Sequence, residues 1–207
     1  CKAMNLDVNS FFEMTELVST IANNPEDYAS FYHNYKGKRY RHDRVHNLFG
    51  YYMTRSASEA FQRYLPEKRI LLFSRASYIG MHRYGGIWQG DNLSWWSHLK
   101  MNVQMMPSLN MCGYLYTGAD TGGFGADVTE DLLLRWMEFA VFTPLFRNHS
   151  ARGTRQQEVY RFSHEERFLN VIGARYQLLP YLYSEYMKAA LSGTMMFIPL
   201  SFVYGKD

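Results

Sequence analysis

The stretch RYGGIWQGDNLSWW, residues 83 to 96, places three of the chain's four tryptophans within nine positions around one carboxylate, Asp91. A carboxylate among aromatic rings costs free energy unless it is paired or has a function. Apolar surroundings raise the pKa of a carboxylic acid, which can then donate a proton at neutral pH. Trp88 is the nearest ring in sequence that could create such an environment. The alternative is a helix N-cap, because Asp91 or Asn92 precedes the helical segment LSWWSHL.

Further polar residues follow apolar segments elsewhere in the chain. Asp120, in TGADTGGF, suits either a turn before two glycines or an acceptor for ligand hydroxyls. His149, in FRNHS, is by itself more typical of a structural histidine, and Arg75 ends the apolar run RILLFSR. Carboxylates accept hydrogen bonds from hydroxyls, and rings pack on the apolar C–H faces of sugars. Acids, rings, one arginine and one histidine therefore favour a polyhydroxylated ligand.

Several other kinds of site are excluded by spacing. The glycines around Asp120 have neither the dinucleotide-binding spacing nor a Walker lysine, so we expect no phosphate loop. His42 and His46 have no third ligand nearby, so we predict no metal site. The chain also lacks a nucleophile elbow with a serine, acid and histidine in order. We therefore expect no metal and no cofactor.

Composition indicates a globular protein: the 207 residues are 47% hydrophobic and 20% charged. The net charge of +3 is too small to predict nucleic-acid binding, and no apolar run reaches the length of a membrane span. Cys1 and Cys112 do not form a disulfide framework, which slightly favours a cytoplasmic location. Because the chain begins at Cys1 and ends at VYGKD, we expect it to be a fragment.

Helical and apolar segments alternate along the chain, which is typical of parallel strands joined by crossover helices. Pro25 after Asn24 suits a helix start, Asp127 or Thr129 suits a cap, and Ser163 with Glu166 resembles a capping box. A short helix is predicted from Pro25. The other predicted helices cover about 43–65, 94–107, 127–140 and 163–190, the last with a kink at Pro180, and the predicted strands cover 69–75, 85–91, 111–120, 141–150 and 194–204.

Polar groups at several strand ends decide between two α/β architectures. Arg75, Asp91, Asp120 and His149 each lie just after a predicted strand. An eight-stranded (β/α)8 TIM barrel places functional groups at the ends of several strands, whereas a doubly wound sheet concentrates them at one switch point. A complete barrel needs ~250 residues. We therefore predict the second half of such a barrel, about strands 5–8 with their helices.

Several ordered segments resemble glycoside hydrolase family 31, the α-glucosidases and their relatives. The resemblance extends from about Val45 to the C-terminus. It is carried by VHNLFGYYMTR, FSRASYIGMHRYGGIWQGDN, YTGADTGGF, LLLRWMEFAVFTPLFRNHS and RYQLLPYLYSEYMKA. Several motifs in the family's order make this match more specific than one short pattern.

This resemblance implies a retaining α-glucosidase built on a (β/α)8 barrel with two aspartates. Asp91 matches the general acid/base, and the remaining matched positions bind the sugar. Arg75 is implied to bind the sugar in the −1 subsite, and Trp88 matches a further position of the site. Asp120 and His149 are implied to bind sugar hydroxyls, and Phe124 to line the pocket. The implied substrate is an α-glucoside oligosaccharide.

The family's nucleophile motif, W-x-D-M-N-E, is not found in this chain. The segment KAMNLD, residues 2–7, has Ala3 where the aspartate would stand and Leu6 where the glutamate would stand. Retention requires a second carboxylate about 5 Å from the acid. We therefore expect the nucleophile upstream of Cys1 and the chain alone to be inactive, unless the motif has decayed.

The resemblance also sets the predicted domain organisation. Residues 1–42 follow the nucleophile strand as an insertion or loop region, 43–193 form the second half of the barrel, and 194–207 begin a C-terminal β-sandwich. Two alternatives stay open. One is a non-catalytic carbohydrate-binding or interaction protein derived from a decayed hydrolase. The other is a relative specific for α-xylosides, α-galactosides or sulfoquinovosides.

Overall fold

Residues 25–205 are described by the computed structural model, and they fall into two units that join at Phe49 and Gly50. In the first unit, helix α1 covers Pro25–Ser30, as the proline predicted; its expected cap, Asn24, lies outside the described residues. Strands β1 (Tyr32–Tyr35) and β2 (Lys38–Arg41) pair antiparallel. The segment predicted as a loop region thus contains a helix and a hairpin.

The helix predicted over 43–65 is divided in two. A single turn, α2, covers His42–Val45, and the longer α3 covers Leu48–Tyr64. The predicted helical periodicity is therefore correct over most of its length, and the main helix starts five residues later than predicted.

The second unit is organised around parallel extended segments. Strand β3 (Phe73–Ser74) pairs parallel with β4 (Gly86–Ile87). The N–H groups of Ile87, in β4, and Gln89, just after it, donate to the carbonyls of Tyr116 (3.1 Å) and Gly118 (2.9 Å). Asp120 in turn forms a parallel bridge with residue 147. Four extended segments thus lie side by side in chain order, which confirms the α/β class.

Three predicted strands are much shorter than their apolar runs. Residue 111 still belongs to helix α4 (Trp96–Met111), and the strand predicted over 69–75 is reduced to Phe73–Ser74. Residues 141–144 form a turn, in which the Thr143 hydroxyl donates to the Ala140 carbonyl (2.8 Å). Apolar runs record burial, whereas regular pairing depends on where the neighbouring segment lies, so the runs overestimated the strands.

The strand predicted over 194–204 is wrong. Helix α7 (Leu200–Val203) occupies this region after Pro199. The Asn110 side-chain oxygen accepts the N–H groups of Met196 (3.0 Å) and Phe197 (2.9 Å). A side chain of α4 therefore satisfies donors that a neighbouring strand would otherwise pair.

The remaining helices show which local signals were sufficient. Helix α5 covers Glu130–Ala140, and the Thr129 hydroxyl caps it by accepting the Leu132 N–H (3.3 Å), as predicted. The 28-residue helix α6 covers Glu165–Ser192 with Pro180 inside it; the kink there stays a prediction.

The capping box predicted at the start of α6 is wrong. The N-cap residue is His164, and its side chain does not cap the helix. The carboxylate of Glu130, at the start of α5, instead accepts the N–H groups of Ser163 (3.2 Å) and His164 (3.1 Å). This contact could not be predicted because its acceptor lies more than thirty residues away in sequence.

In the core of the second unit, helices α5 and α6 pack together beside the extended segments. Trp136, Leu133, Val128 and Phe168 are completely buried or nearly so. This packing fixes α5 and α6 as an outer layer, and the strand ends are positioned against that layer. No helix within residues 25–205 is long and apolar enough to cross a membrane.

Candidate active site

The ends of the first two parallel segments bring Arg75 and Asp91 together. Arg75 Nη1 lies 3.2 Å from Asp91 Oδ2, and the two side chains are 60% and 46% exposed. Asp91 is not the cap of α4, because that helix begins at Trp96 with Trp95 in the N-cap position. The alternative interpretation of Asp91 as a helix cap is therefore wrong.

The segment that carries Asp91 is fastened to the loop after Asp120. The Asn92 carbonyl accepts the N–H groups of Phe124 (2.6 Å) and Gly125 (3.0 Å), and the Ser94 N–H donates to the Gly125 carbonyl (2.8 Å). Gly123 has a φ of +89°, and a Cβ there would lie 2.6 Å from the Ser94 nitrogen. Glycine is therefore required where these two backbones meet.

Asp120 is the buried acid of the site. Its side chain is 1% exposed. Arg147 binds one carboxylate oxygen, Oδ1, through both Nε (2.9 Å) and Nη2. The other oxygen, Oδ2, is buried without a hydrogen-bond partner among residues 25–205. Burial raises the pKa of Asp120, Arg147 and His149 oppose that rise, and the charge of Asp91 adds to it.

The aromatic surface lies beside Arg147. Its guanidinium stands 5.7 Å from the Trp88 ring centre and 5.5 Å from that of Phe73. The Trp88 and Phe73 rings meet edge to face at 5.9 Å. Indole Nε1 of Trp88 is buried and has no hydrogen-bond partner in the described chain. The rings of Phe124 and His149 form a second aromatic pair, with their centres 5.2 Å apart.

The predicted site residues thus form three contacting groups. Arg75 pairs with Asp91, Phe124 packs on His149, and Arg147 connects Asp120 to Trp88. His149 lowers the pKa of Asp120 and Asp91 raises it, although both effects are smaller than those of burial and Arg147. The expected enclosure of Asp91 by tryptophan is not found in residues 25–205: its carboxylate is 46% exposed, and Trp95 and Trp96 are each 52% exposed.

Two residues of the site were missed from the sequence. The segment FRNHS predicts a role for His149 only, although alternation in an extended segment places Arg147 on the same face as His149. Gln157 gave no motif at all. Its amide nitrogen donates to the carbonyls of Thr121 (3.3 Å) and Gly123 (3.1 Å) and holds the loop after Asp120.

The arrangement is suited to binding a polyhydroxylated ligand and to moving a proton. Asp120 Oδ2 is an acceptor and Trp88 Nε1 is a donor without a hydrogen-bond partner among residues 25–205. The half-exposed Asp91 carboxylate is accessible for proton transfer beside a cation. Within the described part of the chain, no three metal-ligating side chains converge.

The profile described as "Glycosyl hydrolases family 31 TIM-barrel domain" matches residues 3–185. The chain belongs to glycoside hydrolase family 31. This result confirms the family, the α/β class and the barrel type predicted from the motifs. The family match begins well before Val45, where the resemblance had been placed.

Related family 31 proteins agree with this assignment. Alpha-glucosidase 2 of Bacillus thermoamyloliquefaciens is 38% identical over 177 residues, which are 84% of this chain and 22% of that protein. A crystal structure of a family 31 α-glucosidase from Bacteroides thetaiotaomicron has a TM-score of 0.75 at 34% identity, covering 84% of this chain and 30% of that one. A family 31 dextranase of Flavobacterium johnsoniae, complexed with glucose, has a TM-score of 0.78 at 28% identity, covering 89% and 24%. The chain spans about a fifth of the length of the curated relatives that it matches.

Proposed function

We propose that the protein containing this chain is a retaining α-glucosidase that releases terminal α-linked glucose from oligosaccharides. The observation that carries the proposal is the juxtaposition of two acids of different environment at neighbouring strand ends. Asp91 is half exposed beside Arg75, and Asp120 is buried against Arg147. α-Glucosidases among the relatives support the substrate class.

In this proposal Asp91 is the general acid/base. It protonates the glycosidic oxygen as the bond to the leaving sugar breaks, while a second carboxylate attacks the anomeric carbon from the opposite face. Asp91 then takes a proton from the water that releases the glucose. The Arg75 guanidinium, 3.2 Å away, fixes the position of the Asp91 carboxylate at the strand end.

The remaining site residues bind the glucose. Asp120 Oδ2 accepts a hydrogen bond from a sugar hydroxyl, and Trp88 Nε1 donates one, because both atoms are buried and unpartnered among the described residues. Phe124 and His149 form a contacting pair in which Phe124 lines the sugar pocket and His149 binds a further hydroxyl. Arg75 contributes to the −1 subsite in addition to contacting Asp91.

The proposal includes three features of organisation. Residues 43–193 supply about strands 5–8 of the barrel, and 194–207 lead into a C-terminal β-sandwich. The nucleophile comes from sequence upstream of Cys1, since KAMNLD has Ala3 at the aspartate position and Leu6 at the glutamate position of the nucleophile motif. Residues 1–207 alone are therefore inactive.

The same two residues favour a second candidate function. If Ala3 and Leu6 stand in the true motif position, the protein is a carbohydrate-binding or interaction protein derived from a hydrolase. The complete reading frame distinguishes the two: an intact W-x-D-M-N-E motif upstream supports the enzyme, and its absence supports the decayed hydrolase.

The decisive assay measures glucose release by the product of the complete reading frame. Maltose, isomaltose and nitrophenyl α-glucoside test linkage and leaving group, and nitrophenyl α-xyloside and α-galactoside test the related specificities. We expect glucose to be released first as the α-anomer, visible by proton NMR, because retention preserves the configuration. Release of the β-anomer first, or no turnover of any α-glucoside, would contradict the proposal.

A further inference from the structure

One guanidinium connects the buried acid of the site to its ring surface. Arg147 is 30% exposed, and it directs two donor nitrogens at the nearly inaccessible carboxylate of Asp120. Its guanidinium carbon also lies 5.7 Å from the centre of the Trp88 ring. The side chain therefore contacts both groups to which the proposed function gives the sugar hydroxyls.

Both donors of Arg147 act on the same oxygen. Nε and Nη2 bind Oδ1, which leaves Oδ2 buried and unpartnered in the described chain. A planar guanidinium that binds one carboxylate oxygen through two nitrogens restricts rotation of the carboxylate. The direction of Oδ2 is consequently set by Arg147. Lysine, a single point charge, cannot impose the same direction.

We propose that Arg147 is a positioning residue of substrate binding: it turns Oδ2 of Asp120 toward a sugar hydroxyl, while supporting the Trp88 ring. This inference rests on the proposed function. Arg147 acts through Asp120 and Trp88 and does not itself take part in bond breaking.

Electrostatics gives the proposal a signature that a structural role lacks. Burial raises the pKa of Asp120, and the Arg147 hydrogen bond and charge are the largest influences that oppose it. His149 also opposes the rise, whereas the charge of Asp91 increases it. Removing Arg147 therefore raises the pKa of Asp120 further. The ionised form is then lost at a higher pH on acidification.

The test compares Arg147→Gln and Arg147→Lys in the product of the complete reading frame. The measurement is kcat/KM for nitrophenyl α-glucoside between about pH 4 and pH 8. For Arg147→Gln we expect a loss of about 30-fold or more at pH 7, as for one removed partner of a buried charge pair, and an acid limb displaced to higher pH. For Arg147→Lys we expect a loss of about 10-fold with the acid limb near that of the unmodified protein.

Two further arginines serve as controls. Arg175, in α6, donates to the carbonyls of Val141 (2.6 Å) and Thr143 (2.8 Å), and so holds the chain just before Arg147. Arg175→Gln is expected to lower stability without moving the acid limb. Arg135→Gln, on the exposed face of α5, is expected to leave activity unchanged. An acid limb that Arg147→Gln leaves in place would overturn the proposal. If that variant does not fold, Arg147→Lys decides, and unchanged kinetics there overturn it.

Glucose binding separates this inference from the proposed function. If the unmodified protein turns over no α-glucoside, the proposed function fails, and calorimetry with glucose then tests Arg147 alone. Binding that weakens on acidification, and weakens at a higher pH in Arg147→Gln, supports the positioning role. Identical pH dependence in both proteins overturns it.

Discussion

Replacement of Asp91 by alanine tests its proposed role as the general acid separately from its contribution to stability. The acid pairs with Arg75 at 3.2 Å, but both side chains are about half exposed, at 46% and 60%. Exposed pairs of this kind contribute about 0.2–1 kcal/mol to stability. We therefore expect Asp91→Ala to fold and to unfold at nearly the temperature of the unmodified protein.

The expected effect on activity is much larger and depends on the leaving group. General acid catalysis contributes about 10²–10⁴-fold, which corresponds to about 3–5 kcal/mol of activation free energy. Maltose has a poor leaving group and should lose this full factor in the glycosylation step. Nitrophenol leaves without protonation, so nitrophenyl α-glucoside should lose much less of kcat/KM.

The assay compares kcat/KM of the two substrates in the product of the complete reading frame, together with thermal unfolding. Asp131→Ala is a matched control, because that acid forms a similarly exposed pair with Arg135 (3.6 Å) on α5, away from the strand ends. It should lose no activity on either substrate. Equal and small losses on both substrates for Asp91→Ala would refute its role as the acid and leave it a surface ion pair.

Three further predictions test the framework of the site by thermal or denaturant unfolding and by activity. Trp136→Ala empties a completely buried position between α5 and α6 and should cost about 3–5 kcal/mol of unfolding free energy; a loss under about 1 kcal/mol would contradict that packing. Gly123→Ala places a Cβ 2.6 Å from the Ser94 nitrogen at a φ of +89°, so we expect at least about 1–2 kcal/mol of destabilisation and reduced kcat/KM, and unchanged values would show that the two loops do not touch. Glu130→Gln should lower the unfolding temperature at pH 7: although desolvation opposes it, hydrogen bonds from His164 and the Ser163 backbone lower the pKa of Glu130 below 4.5. That stabilisation is present above the unfolded-state pKa and is lost as the pH falls through the folded-state value, so a destabilisation by Glu130→Gln that persists undiminished in acid would contradict the cap.

Local signals in the sequence were sufficient where one segment determines its own conformation. The Thr129 cap and the apolar stripe behind it predicted α5, because a capping hydroxyl and the N–H it binds lie within one helical turn. Family motifs likewise predicted six of the candidate site residues, but not Arg147 or Gln157, since each motif is a short contiguous string. The acid at position 91 and the glycine-rich loop after Asp120 were both predicted from such contiguous strings.

Contacts between two segments that are distant in the chain could not be predicted from the sequence. The acceptor for the two backbone N–H groups just before α6 is Glu130, at the start of another helix, whereas a capping box at Ser163 was predicted. Asn110 supplies an acceptor to Met196 and Phe197, and this contact replaces the strand predicted there. In both cases the backbone donor is satisfied by a side chain that no local pattern reveals.

The sequence by itself determined which family this chain belongs to, which acids and rings form the candidate site, and where the main helices lie, because these properties reside in contiguous residues. Only the tertiary structure decided how the acids differ. It paired Asp91 with Arg75 at the surface and buried Asp120 against Arg147. The physical reason is that solvation and charge pairing depend on neighbours brought in by the fold, and no contiguous segment of sequence contains those neighbours.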